Sequence, residues 1–146
     1  MPVTGDYNGD GAADLAVYDY SAGRWYIRTL AGTTLAWDMS WGYPAADICT
    51  VPGDYDGDGD DDLALFDGSA GKWYIRTIAG TVLAWGVDWG SAGLIAVPGD
   101  YNGDGKSDLA LYYPGVGRWY IRSVDGHILA WDVELGDAGS FPVSMQ

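Results

Sequence analysis

Residues 53–65 read GDYDGDGDDDLAL, and the pattern stands twice more, as GDYNGDGAADLAV at 5–17 and GDYNGDGKSDLAL at 99–111. The interval is 48 residues from Asp6 to Asp54 and 46 from Asp54 to Asp100. Each copy is followed by a WYIR run (25–28, 73–76, 119–122) and then an LAW run (35–37, 83–85, 129–131). Self-similarity at this period marks a repeat architecture, in which each unit buries its apolar faces only against its neighbours. The 146-residue chain divides at about 1–47, 48–93 and 94–146 within one domain. The first repeat carries two extra residues near Tyr43 to Asp47, where a loop absorbs them.

Within a repeat the pattern predicts strands only. DLAVY at 14–18, RWYIRT at 24–29 and TLAWD at 34–38 are short runs rich in β-branched and aromatic residues, separated by Ser21-Ala22-Gly23 and Ala31-Gly32. ICTVP at 48–52 supplies a fourth strand leading into the next Asp-rich loop, and no window sustains a helical period. Four short antiparallel strands per repeat is the size of a β-propeller blade. Leu15 and Val17 face one way, Ala16 and Tyr18 the other, and both sets are apolar or amphipathic, as a blade packed on both sides requires. The predicted fold class is therefore all-β, with three four-stranded antiparallel β-propeller blades. Such rings close with roughly four to eight blades, and bare terminal faces exceed the apolar patch a soluble monomer usually tolerates. Completion by homo-oligomerisation is expected: six blades in a homodimer, the commonest oligomer symmetry, or nine in a trimer.

The Asp-rich loops share the spacing D-x-[DN]-x-D-G-x-x-D. The three sets are Asp6, Asn8, Asp10 and Asp14; Asp54, Asp56, Asp58 and Asp62; and Asp100, Asn102, Asp104 and Asp108. Positions 1, 3 and 5 converge when Gly at position 6 turns the chain sharply, and Ca²⁺ takes six to eight hard oxygens from such a cage. Position 7 (Ala12, Asp60, Lys106) offers a backbone carbonyl, which leaves its side chain free to vary. Without a cation, the crowded carboxylates repel by ~1–4 kcal/mol per pair. Asp, Asn and Gly also dominate metal-free turns, but three loops with identical ligand positions favour about three Ca²⁺ per chain. An EF-hand does not fit, because Val17, Leu65 and Leu111 stand where its bidentate Glu belongs.

Twenty-one Asp and Glu against 7 Lys and Arg give a net charge of −14. That balance excludes nucleic acid as a partner, since phosphate binding needs a basic patch. The apolar runs are far too short for membrane insertion. No signal peptide precedes the first repeat. Cys49 aligns with Ile95 and Phe141 and is expected to fill a buried apolar slot. His127 replaces Thr33 and Thr81 of the other repeats, and no Ser/His/Asp or Cys/His set is repeated. The dense carboxylates read as metal ligands in preference to a general acid and base, so no enzyme is expected.

The sequence GDYDGDGxxDLAL, followed by a WYI strand and an LAW-x-x-x-WG segment, resembles the FG-GAP/VCBS family of calcium-binding propeller repeats over essentially the whole chain. The resemblance implies that the calcium loop joins the innermost strand of a blade to the second. VPGD at 51–54 is then an inner strand and TVLAW at 81–85 an outer one. It further implies an adhesion or ligand-presentation module, an extracellular or cell-surface location, and kinship with lectins that hold sugars between blades.

Trp25, Trp73 and Trp119 lie mid-strand and read as core. Trp41 and Trp89, each beside a Gly in a loop, are the leading candidates for stacking on a sugar ring, followed by Trp37, Trp85 and Trp131 on the outer strand. Leu135-Gly136 replaces Trp-Gly in the third repeat. Arg28, Arg76 and Arg122 share one slot and suit an ion pair, stacking on Trp, or a carboxylated ligand. The two ends of the chain each carry part of an inner strand, so residues 140–145 of one copy are expected beside Val3 of the next. These readings converge on a non-catalytic, self-assembling calcium-binding scaffold or presentation module with a protein or carbohydrate ligand. A Trp-lined lectin and an excised piece of a larger secreted propeller are the alternatives.

Overall fold

In a computed structural model describing residues 1–143, every regular element is a β-strand. The first sheet holds β1 (Pro2–Gly5), β2 (Asp14–Asp19), β3 (Arg24–Arg28) and β4 (Thr34–Ser40). The second holds β5 (Ile48–Thr50), β6 (Leu63–Asp67), β7 (Lys72–Arg76) and β8 (Val82–Asp88). The third holds β9 (Ile95–Ala96), β10 (Leu109–Tyr113), β11 (Arg118–Arg122) and β12 (Ile128–Glu134). Each is a four-stranded antiparallel meander in chain order, the arrangement of a propeller blade. The Asp-rich loops join the first strand of each sheet to the second, and the pairs Gly53↔Asp62 and Gly99↔Asp108 close their bases.

The blades stack through two-sided strands. All five residues of β6 are buried: Leu63 and Leu65 join the first blade's core, while Ala64 and Phe66 join a second core with Leu109 and Leu111. In β2 Asp14, Ala16 and Tyr18 are buried, and Leu15 and Val17 face solvent, with no further blade on that side among the described residues. Backbone bonds lock the stack near the loops. Asp61 N–H donates to the Asp6 carbonyl, and Ser107 N–H to the Asp54 carbonyl, both at 2.7 Å.

One sequence expectation changes. Ile48 takes the buried slot in β5 and Cys49 is exposed, because its neighbour in the alternating strand already faces the first blade. The inner strand of the first blade is built by the chain's own N-terminus. Val3 pairs with Ala16, and Met1 and Tyr18 exchange two backbone bonds at 2.8 and 3.0 Å. Phe141 and Val143 are left exposed and outside any strand, and Ser144 to Gln146 lie outside the described residues.

Candidate metal loops and the inter-blade seam

Each loop folds around its first aspartate. Asp54 Oδ1 accepts the N–H groups of Gly57 and Asp58 at 2.6 and 3.1 Å, and Oδ2 that of Gly59 at 2.9 Å. Asp56 accepts Asp58 N–H at 3.1 Å, and Asp58 accepts Asp60 N–H at 2.9 Å. Gly59 adopts φ +99°, a conformation that costs an L side chain strain and lets position 6 turn the loop inward. The third loop repeats this web through Asp100, Asn102 and Asp104, and the first through Asp6, Asn8 and Asp10.

The ninth loop position closes each cage from below. Asp14, Asp62 and Asp108 are buried and each accepts the N–H of the loop tyrosine (Tyr7, Tyr55, Tyr101) at 2.8–2.9 Å. That bond occupies one carboxylate oxygen. The other oxygen of Asp108 is buried with no hydrogen-bond partner. In the second loop, carboxylate oxygens of Asp54, Asp56 and Asp58 lie within 4.8 Å of one another. Burial, and then the charges of Asp56, Asp58 and Asp54, push Asp62 up to about 7. Asp56 and Asp108 are raised for the same reasons, burial first. Asp100 is instead held low, chiefly by the Gly105 N–H.

An orphaned buried carboxylate oxygen and a convergent acid cluster make a donor set that suits a hard cation. Asp6, Asn8, Asp10 and Asp14, and their counterparts in the other loops, would hold it, with the Ala12, Asp60 and Lys106 carbonyls as further oxygens. Bound there, Ca²⁺ would supply the countercharge that the crowded carboxylates lack. The side chains of Asp60 and Lys106 leave their own cages and pack over Gly9 and Gly57 of the preceding loop.

The tryptophans fall differently from their sequence ranking. Trp41 and Trp89 are buried, not displayed on a loop. Each leaves its own blade to fill the seam with the next: Trp41 lies 5.5 Å from Trp85 and under Arg76, and Trp89 lies 5.8 Å from Trp131 and under Arg122. A small residue must follow, because a Cβ on Gly42 (φ +135°) would overlap the Tyr18 hydroxyl. Trp25 and Trp73 anchor these segments, their indole N–H groups donating to the Trp41 and Trp89 carbonyls at 2.9 and 2.8 Å. Trp37, Trp85 and Trp131 keep most of their surface exposed.

Two contributors escaped the sequence reading. Asp61 accepts Asp6 N–H at 2.8 Å while donating its own N–H to the Asp6 carbonyl, a two-point clasp between blades. Its position varies (Ala13, Asp61, Ser107), so the repeat pattern concealed it. Tyr43 sits in the two-residue extension and gives its hydroxyl to Asp67 at 2.5 Å. A signal was present in the one aromatic residue unique to that extension.

Three stacked blades, each with an aspartate loop between its first two strands, define a β-propeller repeat module. The FG-GAP-like repeat model matches residues 6–65 and again 54–111, and the chain belongs to that family. Comparisons with curated proteins and with solved structures returned no match. Among the described residues no helix is long and apolar enough to cross a membrane.

Proposed function

We propose that the protein is a non-catalytic, calcium-stabilised scaffold whose copies stack blade to blade into a closed ring. One observation carries this reading: the chain builds the same seam twice, and its two outer blades carry the unused halves of a third. On the first blade these are exposed Leu15, Val17 and Trp37, with Arg28 in the slot of Arg76 and Arg122. On the last blade it is Leu135, in the slot of Trp41 and Trp89, and 71% exposed. The Asp100 carbonyl and the Ala13 N–H occupy the positions that bond across both internal seams. Head-to-tail contact of this kind closes into a ring only at a fixed number of copies, two for six blades or three for nine.

The loop carboxylates already bond backbone N–H groups, which suits holding a cation better than moving protons. Extracellular modules of this kind bind Ca²⁺ with Kd on the order of 0.1–1 mM, and an extracellular or cell-surface setting agrees with that affinity. Light scattering on the calcium-loaded chain is expected to give a dimer or trimer mass, and chelation to lower Tm. A stable monomer defeats the assembly, and a Tm indifferent to chelator defeats the metal.

A further inference from the structure

The two internal seams differ in what fills the gap beside the Trp-Gly segment. In the first, Tyr43 follows Trp41-Gly42 and turns its ring into the gap between blades. It stands edge to face on Tyr74 at 5.5 Å, donates to Asp67 at 2.5 Å and lies 3.5 Å from the Tyr74 hydroxyl. In the second seam the residue after Trp89-Gly90 is Ser91, and Tyr113 holds the register position of Asp67. The gap there is an open groove of about 460 Å³ lined by Trp89, Leu111, Tyr120 and Trp131, with Asp88 and Ser91 supplying polar atoms.

We propose that this groove is a binding site for a phenol-type ring, a flat uncharged aromatic bearing a hydroxyl. The chain places that chemistry in the sister gap as Tyr43. The walls match between the two seams. Tyr120 meets Trp131 edge to face at 5.2 Å, as Tyr74 meets Trp85 at 5.4 Å, and the Trp89–Trp131 pair repeats Trp41–Trp85. The ring therefore finds its aromatic partners already in place, which spares the cost of ordering them. An acceptor for the hydroxyl is also present. Asp88 is held through one oxygen by Lys72 at 2.6 Å, and Tyr120, having given its proton to Asp132 at 3.0 Å, offers lone pairs. Asp88 and a net charge of −14 select against anionic ligands. The site lies within one chain and is independent of ring closure.

The test titrates the calcium-saturated full chain with 4-methylphenol and follows the indole N–H resonances of Trp89 and Trp131. Saturable shifts of these two signals are expected, weakened at least tenfold in Trp131→Ala, whose ring is largely exposed and whose loss spares the core. Tyr43→Ser is expected to open a second site, so that the Trp41 and Trp85 signals also shift and 4-methylphenol raises the variant's Tm more than the parent's. Absence of saturable shifts at Trp89 and Trp131, or equal binding by Trp131→Ala, overturns the proposal. So does a groove that takes methyl glycosides and ignores 4-methylphenol, which would make it a carbohydrate site. If Tyr43→Ser does not fold, the Trp131→Ala comparison decides alone.

Discussion

The Arg76 guanidinium of the second blade lies over the Trp41 ring of the first, 5.6 Å from its centre, and Arg122 repeats the contact on Trp89 at 5.7 Å. Arg76 is fixed for this role by its own turn, donating to the carbonyls of Thr77 and Ile78 at 3.1 and 3.4 Å. Arg122 does the same with Ser123 and Val124. A cation over an indole is worth ~0.5–2 kcal/mol, more as water is excluded. The recurrent arginine is thus a structural seam element in two repeats, and Arg28 is the member of the set without a ring beneath it in this chain.

Trp41→Ala should be among the most damaging substitutions, because it empties the seam, strips Arg76 of its ring and removes the ring that Trp85 packs on. Buried Trp or Phe to Ala changes cost ~3–5 kcal/mol, and denaturant unfolding should show a loss of that size. Trp37→Ala, at the equivalent of Trp85 and 70% exposed but with no seam tryptophan against it, should leave the unfolding free energy within ~0.5 kcal/mol in dilute monomer. A small effect at Trp41 would mean that the seam is not what couples the blades.

Asp56→Ala should lower Tm in calcium and abolish most of the difference made by chelation at that loop. Asp60→Ala should leave the calcium response intact, since its side chain packs over Gly9 of the preceding loop. Calorimetric titration should count one ion fewer per chain for the first variant and the full number for the second. Equal losses would place Asp60 inside the coordination shell.

Most of the fold was legible because the repeat supplied three copies of every signal. The strands at Asp14, Arg24 and Thr34 begin where alternation and turn residues put them, and the loops at Asp6, Asp54 and Asp100 stand between the strands that the spacing assigned to them. What escaped were contacts between repeats. Nothing in the local sequence of Trp41 says that its ring leaves its own blade for the next, so a Gly-flanked tryptophan read as a surface platform. Cys49 was misread because its aligned partners are apolar, yet Ile95 shares its register position and is exposed as well, so the slot is an exposed one in the inner strand. Tyr43 and Asp61 act only across a seam, and a seam has no sequence of its own.

Gly42→Ala should destabilise more than Gly32→Ala, although both glycines have positive φ. The methyl on Gly32 meets open space, so only backbone strain of ~1–3 kcal/mol applies. On Gly42 it also collides with the Tyr18 hydroxyl and approaches Leu65, in a core with no slack on either side. Overpacking adds ~1–3 kcal/mol, and the two variants should separate by that amount in denaturant unfolding. Equal losses would show that the seam relaxes around an added methyl.

Asp62 sets the pH response of the calcium-free protein. Its carboxyl is raised from 3.8 to about 7, first by burial and then by the charges of Asp56, Asp58 and Asp54. Asp56, Asp60, Asp61 and Asp108 are displaced in the same direction. A group that holds its proton more tightly folded than unfolded stabilises the native state fully below the unfolded value, and that contribution is lost as pH rises through the folded one. Between those limits the native chain binds more protons, so metal-free stability falls with rising pH. Asp19, Asp67, Asp100, Asp125 and Asp137 are lowered and act with opposite sign, but only in acid below their ordinary range. Tm of the metal-free protein should therefore climb from pH 8 to pH 5. Calcium reverses the logic, because it needs the carboxylate deprotonated and competes with the proton there. The Tm increment produced by calcium should be largest at pH 8 and shrink toward pH 5. Asp62→Asn keeps an acceptor for the Tyr55 N–H, which Asp62 now takes at 2.8 Å, and removes the titrating group. It should flatten the metal-free pH profile while weakening calcium binding at that loop. A metal-free Tm that rises with pH across this window, or a slope unchanged in Asp62→Asn, would rule out the buried carboxylate as its source.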